Sequence, residues 1–244
     1  MDFDSEGSPQ LSATQIQDAL LQQLHEIKHN EMCSDHDFLS HMPGIEECHG
    51  TNLRGFWFPK TTESSKISGF VSSPPESKSI EEKVTSLILS QNWGRDVLVQ
   101  FWAPIVTKKG RMMLSVKGQP FGMSYLFNGF CGYRHSCIRQ ESLVEDINQL
   151  GPLGRVFSQG SLEYCLDIHY CSDEEFPLKH IAKHCGIKAY CVLPLFEWNH
   201  DSQPFAGVLE ILSFQNYISP ETLTIKNKGL TITKPHCREC QKVS

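Results

Sequence analysis

The chain has 244 residues, a formal net charge of -6, 39% hydrophobic residues and 20% charged residues. This length allows one ordinary domain with tails or two small domains, and the mildly acidic balance gives no electrostatic basis for nucleic-acid binding. No apolar run reaches the roughly 18 residues that a membrane helix needs. The N-terminal residues are acidic and polar, unlike a secretory signal or a transit peptide, so we expect a nuclear or cytosolic protein.

Residues 1–70 are predicted to form a mostly disordered leader that contains one short amphipathic helix. Ser12 has the side chain of an N-cap. The apolar stripe of the helix consists of Leu20, Leu21, Leu24 and Ile27. Such a helix either docks into a partner or lies on the domain, because an isolated helix of about 15 residues is marginal in water. The segment at residues 55–59, which contains three aromatic residues, is a candidate anchor onto the domain.

The first half of the predicted domain, which covers residues 77–220, begins with a helix over residues 77–91. Its apolar residues recur at helical spacing, and its charged residues lie on the opposite face. Residues 96–103 and 111–116 are apolar enough to form a pair of strands around a turn. Residues 118–148 are predicted to be irregular, with glycines among aromatics, and to end in a short helix.

The second half of the domain contains a predicted antiparallel hairpin at the centre of a sheet. Its strands cover residues 188–196 and 205–214, which are short, apolar and rich in β-branched side chains. A short element over residues 154–160 and a short lid helix over residues 177–185 precede it. The expected fold is therefore α/β, with a central antiparallel sheet flanked by helices.

Residues 221–244 are predicted to form an irregular tail, because β-branched residues, glycine and proline interrupt any helix there. Cys237 and Cys240 form a C-x-x-C pair that resembles half of a zinc site. A structural zinc needs four ligands, and the sequence offers no second pair at suitable spacing, so no metal or other cofactor is expected.

Three phrases of the domain resemble the GAF domain, a ligand-sensing α/β module. They are G-R-V-F-S-Q-G at residues 154–160, G-I-K-A-Y-C-V-L-P at residues 186–194, and G-V-L-E-I at residues 207–211. Their order and spacing match the GAF pattern, which implies the GAF-like fold but does not identify the ligand.

Four longer phrases resemble the N-terminal region of plant NIN-like proteins, which are RWP-RK transcription factors of the nitrate response. They are V-S-S-P-P-E-S-K-S-I-E-E-K from Val71, D-V-L-V-Q-F-W-A-P-I from Asp96, L-S-V-K-G-Q-P-F from Leu114 and L-G-P-L-G-R-V-F from Leu150. The resemblance covers about residues 70–218 and implies a short or truncated member of that family.

This resemblance implies a nitrate-sensing regulator of transcription that acts in the nucleus, possible association with other transcription factors of the family, and no direct DNA binding. The sequence contains no R-W-P-R-K string. The alternative hypothesis is a GAF-type module that binds a protein or another ligand and has no link to nitrate or transcription.

The candidate ligand-binding residues are Arg155, Tyr164, His184 and Lys188. A pocket for a small planar anion needs a cation, N–H or O–H donors and an apolar wall. Tyr164 and Lys188 stand where the family has Trp and Arg, and lysine loses the planar fork of arginine. For each residue alone, a structural or surface role is the competing interpretation.

Catalysis is not expected from this sequence. His184 and Cys185 are adjacent on a predicted helix, where neighbouring side chains do not face each other. No motif for an oxyanion hole or a nucleophilic serine accompanies them.

Overall fold

The computed structural model describes residues 12, 15, 18, 19, 22, 45–47, 56–59, 79–91, 93, 96–107, 109–124, 128–140, 144, 146–197, 204–216, 218, 226–227 and 230–231. We number the helices and strands in chain order. The helices of the domain are α1 (Ile80–Ser90), α2 (Asn128–Gln140), α3 (Pro152–Gln159) and α4 (Lys179–His184). Two 3-10 turns also occur, at Ile147–Leu150 and Ile168–Tyr170.

The strands in the described part of the chain form one ten-stranded sheet. They are β1 (Ile45–Glu47), β2 (Phe56–Pro59), β3 (Val97–Val106), β4 (Met112–Ser115), β5 (Phe121–Ser124), β6 (Glu163–Cys165), β7 (Ala189–Glu197), β8 (Phe205–Ser213), β9 (Lys226–Asn227) and β10 (Leu230–Thr231). Their order is β1-β2-β5-β3-β8-β7-β10-β9, with β4 on β3 and β6 on β7. Every pairing is antiparallel.

The α/β prediction, with a central antiparallel sheet and flanking helices, is confirmed. Strand β8 lies between β3 and β7, with Trp102 opposite Val208 and Cys191 opposite Ile211. The predicted hairpin is therefore β7–β8, and its position at the centre of the sheet follows from its apolar residues on both faces. The predicted pairing of the first two strands is also present, as β3 with β4.

Side-chain alternation along the central strands produces two hydrophobic clusters, one on each face of the sheet. One cluster contains α1 residues together with Val99 and Ile211. The other contains residues of α2, α3 and α4 together with Leu98 and Leu212. We call these the α1 face and the α2 face. Among the described helices, α1 alone packs on one face, and α2, α3 and α4 pack on the other.

Helix α1 begins at a capping box in which the Ser79 hydroxyl accepts from the Glu82 N–H and the Glu82 carboxylate accepts from the Ser79 N–H. These bonds satisfy backbone donors that a helix N-terminus leaves unpaired. Val84, Leu87 and Ile88 are buried, at the spacing that places them on one side of the helix. The helix predicted over residues 77–91 is thereby confirmed within a few residues at its start.

The prediction that residues 118–148 are irregular is wrong, because β5 and the 13-residue helix α2 lie there. Glycine lowers helix propensity. At Gly129, however, the missing side chain allows the backbone at Cys185, just after α4, to pack closely against α2. A Cβ built on Gly129 would lie 2.2 Å from the Cys185 carbonyl oxygen. Tertiary packing, seen in the buried Phe130, Tyr133 and Cys137, therefore outweighs local propensity.

The predicted leader and tail contribute short strands at the positions that the structure describes. Strand β2 pairs with β5, with Trp57 opposite Met123, and β1 pairs with β2. In the tail, β10 pairs with β7, with Leu230 opposite Glu197. The Ser12 hydroxyl accepts from the Gln15 N–H, as expected of an N-cap. The predicted apolar stripe of that helix and the cysteines of the C-x-x-C pair lie outside the described residues.

Candidate functional site

A buried carboxylate, Glu210, lies on the α2 face at the middle of β8 and is 2% exposed. One of its oxygens accepts from Gln100 Nε2 at 2.7 Å and from Trp102 Nε1 at 2.8 Å. The other accepts from the Tyr133 hydroxyl at 2.9 Å. Since Gln100 and Trp102 are on β3 and Tyr133 is on α2, this carboxylate ties three elements together.

Arg134 extends this polar cluster toward the turn before β5. Its guanidinium donates to Gln100 Oε1 at 2.9 Å and to the carbonyl oxygens of Val116 and Gln119 at 3.2 and 3.1 Å. It also lies over the Phe121 ring, 3.9 Å from its centroid, an arrangement that favours a cation. These donors and acceptors are satisfied within the protein, so the cluster is built to hold the sheet and α2 together.

Burial raises the pKa of Glu210, and the hydrogen bonds from Gln100, Trp102 and Tyr133 with the charge of Arg134 oppose this effect. The same burial, with the nearby Glu210 carboxylate, raises the pKa of the Tyr133 hydroxyl well above its usual value, which keeps it a donor. This cluster was not predicted from the sequence. The available signal was an acidic residue at an inward-facing position of an otherwise apolar strand.

Arg155, the first candidate residue, forms a two-pronged ion pair with Glu163 on the α2 face. Its Nε and one terminal nitrogen donate to the two carboxylate oxygens at 2.9 and 2.7 Å. That terminal nitrogen also donates to the Glu175 carbonyl oxygen at 2.8 Å, and Glu163 accepts from the Tyr190 hydroxyl at 2.8 Å. The hydrogen bond with Glu163 raises the pKa of Arg155 above its ordinary value.

Tyr164, the second candidate, is partly buried and packs against the cluster on the α1 face. It follows Glu163 on β6, and successive side chains of a strand point to opposite faces. The sheet therefore separates Tyr164 from the Arg155–Glu163 pair, and these candidate residues do not line one pocket.

His184 and Lys188, the other two candidates, are both exposed and lie on either side of the turn at Gly186. His184 ends α4, and Lys188 immediately precedes β7. The backbone of Lys188 is fixed, because its N–H donates to the Ser213 carbonyl and its own carbonyl accepts from Ile168, both at 2.8 Å. Lys183 is exposed as well, so three basic side chains are exposed within the six residues 183–188, which we call the basic surface around Gly186.

Replacing Arg155 with lysine is expected to lower the free energy of unfolding by about 1–2 kcal/mol. Lysine keeps the charge but cannot make the paired hydrogen bonds of a guanidinium to a carboxylate. Urea unfolding followed by circular dichroism measures the change. The exposed Lys183→Ala is the control, with an expected change below about 0.5 kcal/mol, and equal effects of the two substitutions would show that Arg155 has no special structural role.

Among the described residues, no group of three or more His, Cys, Asp and Glu side chains is arranged so that it could hold a metal ion. No helix in that same part of the molecule is long and apolar enough to cross a membrane.

The described part of the chain is thus an α/β domain built on one antiparallel sheet. No family model matches the chain. It is 33% identical to Protein NLP7 of Arabidopsis thaliana over 147 residues, which is 57% of this chain and 15% of that protein. It is 34% identical to Protein NLP6 of the same plant over 118 residues, or 48% of this chain and 14% of the relative.

Protein NLP1 of Oryza sativa subsp. japonica is 31% identical over 126 residues, covering 50% of this chain and 13% of the relative. The chain thus spans only about a seventh of the length of these relatives. The predicted resemblance is confirmed: the chain is a relative of the plant NIN-like proteins, a family of transcription factors. These matches favour the regulator hypothesis, and none of them supports an unrelated binding module.

Proposed function

We propose that this chain regulates transcription in nitrate signalling, through a GAF-like domain that senses nitrate or a similar small anion. The observation that carries the proposal is the match of about half the chain to NIN-like proteins. Two of the three GAF-like phrases, at residues 186–194 and 207–211, fall largely on the central strands β7 and β8, which supports the proposal of a sensory module. Nuclear localisation and association with transcription factors of the same family belong to this proposal.

DNA binding is assigned to partners rather than to this chain. The sequence carries no R-W-P-R-K string and has a net charge of -6, whereas a DNA-binding surface neutralises phosphates with clustered Lys and Arg. In this proposal the chain acts through a family member that binds DNA, or it competes with that family member.

The anion is proposed to bind at the basic surface around Gly186, with His184 and Lys188 as its direct contacts. Nitrate is a planar anion that accepts hydrogen bonds from N–H donors, and a charged donor strengthens such bonds. Arg155 and Tyr164 were predicted as further contacts, and we propose that they act indirectly. Arg155 holds β6 through Glu163, whose carboxylate already occupies the guanidinium fork.

Millimolar nitrate is expected to raise the melting temperature of the purified chain, with chloride as the control anion. A ligand at 100 times its dissociation constant stabilises a protein by about 2.7 kcal/mol, which corresponds to several degrees. The rise should disappear in Lys188→Ala and remain in Lys183→Ala, which removes an exposed lysine from the same surface.

Equal shifts with nitrate and chloride would count against nitrate as the ligand. A nitrate-specific shift that survives Lys188→Ala and His184→Ala would instead place the site elsewhere. A reporter gene driven by a nitrate-responsive promoter tests the regulatory role separately, because it responds to the chain even when nitrate does not bind it.

A further inference from the structure

Two buried thiols, Cys165 and Cys171, lie in contact beside the 3-10 turn at Ile168–Tyr170. Their sulfur atoms are 3.3 Å apart, with the Cys171 thiol donating to Cys165 Sγ. The Cys165 thiol donates in turn to the Asp167 carbonyl oxygen at 3.2 Å. The two residues are 3% and 5% exposed. A disulfide needs its sulfur atoms about 2.05 Å apart, so the two atoms must approach each other by about 1.3 Å from their observed separation of 3.3 Å.

The surroundings of this thiol pair differ from those of a single core cysteine. Lys179 donates to the Cys171 carbonyl oxygen, which links this cysteine to α4. The loop between the two cysteines lies at the surface, with Tyr170 69% exposed.

We propose that Cys165 and Cys171 are a redox modification site that a peroxide converts to an intramolecular disulfide. Hydrogen peroxide oxidises one thiolate to a sulfenic acid, releasing hydroxide as the O–O bond breaks. The second thiol then attacks that sulfur, the S–S bond forms, and the S–O bond breaks with release of water. Overall, two thiols and one peroxide give one disulfide and two waters, and a dithiol reductant reverses the change.

The disulfide joins the end of β6 to the segment before α4. Strand β6 carries Glu163, the partner of Arg155, and Cys171 is bonded through its carbonyl oxygen to Lys179 on α4. Oxidation therefore ties the loop of residues 166–170 covalently to the end of β6. Disulfides in reducing compartments are usually transient, catalytic or sensory, which matches a reversible switch of this kind.

Peptide mapping of the full chain tests the proposal directly. Trypsin cleaves after Arg155 and Lys179, and the peptide over residues 156–179 contains Cys165 and Cys171 as its only cysteines. After peroxide treatment and alkylation with iodoacetamide, we expect this peptide to carry no label and to be lighter by two hydrogen atoms. Prior reduction with dithiothreitol should restore two labels.

Two labels on the oxidised peptide, a sulfinic acid at either position, or a disulfide to another cysteine would each overturn the proposal. In Cys171→Ser the peptide should keep its single label or carry a sulfenic acid, while Cys185→Ser, which leaves the pair intact, should behave as the unmodified chain does. The measurement on the unmodified chain decides the matter even where a variant folds poorly.

Discussion

Replacing Glu210 with alanine is expected to lower the free energy of unfolding by about 3–5 kcal/mol. The substitution leaves the donors of Gln100, Trp102 and Tyr133 buried without their shared acceptor. Breaking a buried polar network by removing one member leaves the remaining groups uncompensated, and costs of this size result. Urea unfolding followed by circular dichroism measures the difference, and a loss below about 1 kcal/mol would show that water or rearrangement replaces the carboxylate.

Glu210→Gln is the matched control because it keeps the shape of the side chain. Its amide oxygen can accept from Gln100 and Trp102, and its amide nitrogen can donate to the Tyr133 oxygen. We therefore expect a much smaller loss than for alanine. If glutamine and alanine destabilised the protein equally, the negative charge rather than the hydrogen bonds would hold the cluster together.

The same pair of proteins gives the pH dependence of this carboxyl group. Burial raises the pKa of Glu210 in the folded chain. Between the unfolded and the folded pKa, the folded state therefore still holds a proton that the unfolded state has already released. The stability from this proton is complete below the unfolded pKa of about 4.3 and is lost as the pH rises through the folded pKa. The unfolding free energy of the unmodified chain, minus that of Glu210→Gln, should fall with rising pH in this window.

Replacing Gly154 with alanine is expected to destabilise the protein by about 2–3 kcal/mol, although alanine favours a helix by about 1 kcal/mol. A Cβ at this position would lie 2.0 Å from the Ile147 carbonyl oxygen. That atom belongs to the backbone, so the 3-10 turn and α3 must move apart, and overpacking of this kind costs about 1–3 kcal/mol or more. Thermal unfolding measures the loss.

Ser158→Ala serves as the control for this substitution, because Ser158 is exposed on the same helix. It adds the same favourable helix former without a clash, so the melting temperature should stay the same or rise slightly. If Gly154→Ala left the melting temperature unchanged, α3 and the preceding 3-10 turn would not be held at the observed separation.

The hairpin was predictable because its two strands are continuous apolar runs, and such runs indicate strands buried on both faces. The element at residues 154–160 was predictable from its glycines: α3 ends at Gly160, which has a φ of 63° in the left-handed region. Helix α2 was missed because its glycines lower helix propensity. Its buried residues Phe130, Tyr133 and Cys137 nevertheless recur at helical spacing.

The polar clusters were harder to predict because their members are far apart in sequence. The partners of Glu210 are 110, 108 and 77 positions away, and a single sequence contains no signal that pairs them. Arg155 was recognised as a candidate ligand contact with a structural salt bridge as the competing interpretation, and its ion pair with Glu163 agrees with the latter. Tyr164 is separated from Arg155 because successive side chains of β6 point to opposite faces of the sheet. Which residue points to which face depends on the strand register, and the sequence alone does not give that register.

One edge of β7 is divided between two short partners. Strand β6 pairs with residues up to Val192, and β10 pairs from Phe196 onward. The stretch between them contains Pro194, which has no N–H to donate. An open strand edge can template pairing with a second molecule, and a proline weakens such a template. Residues 193–195 are also buried, so the interval between β6 and β10 is protected against intermolecular sheet formation, and removal of β10 should leave an unpaired edge from Phe196 onward and make the protein prone to aggregate.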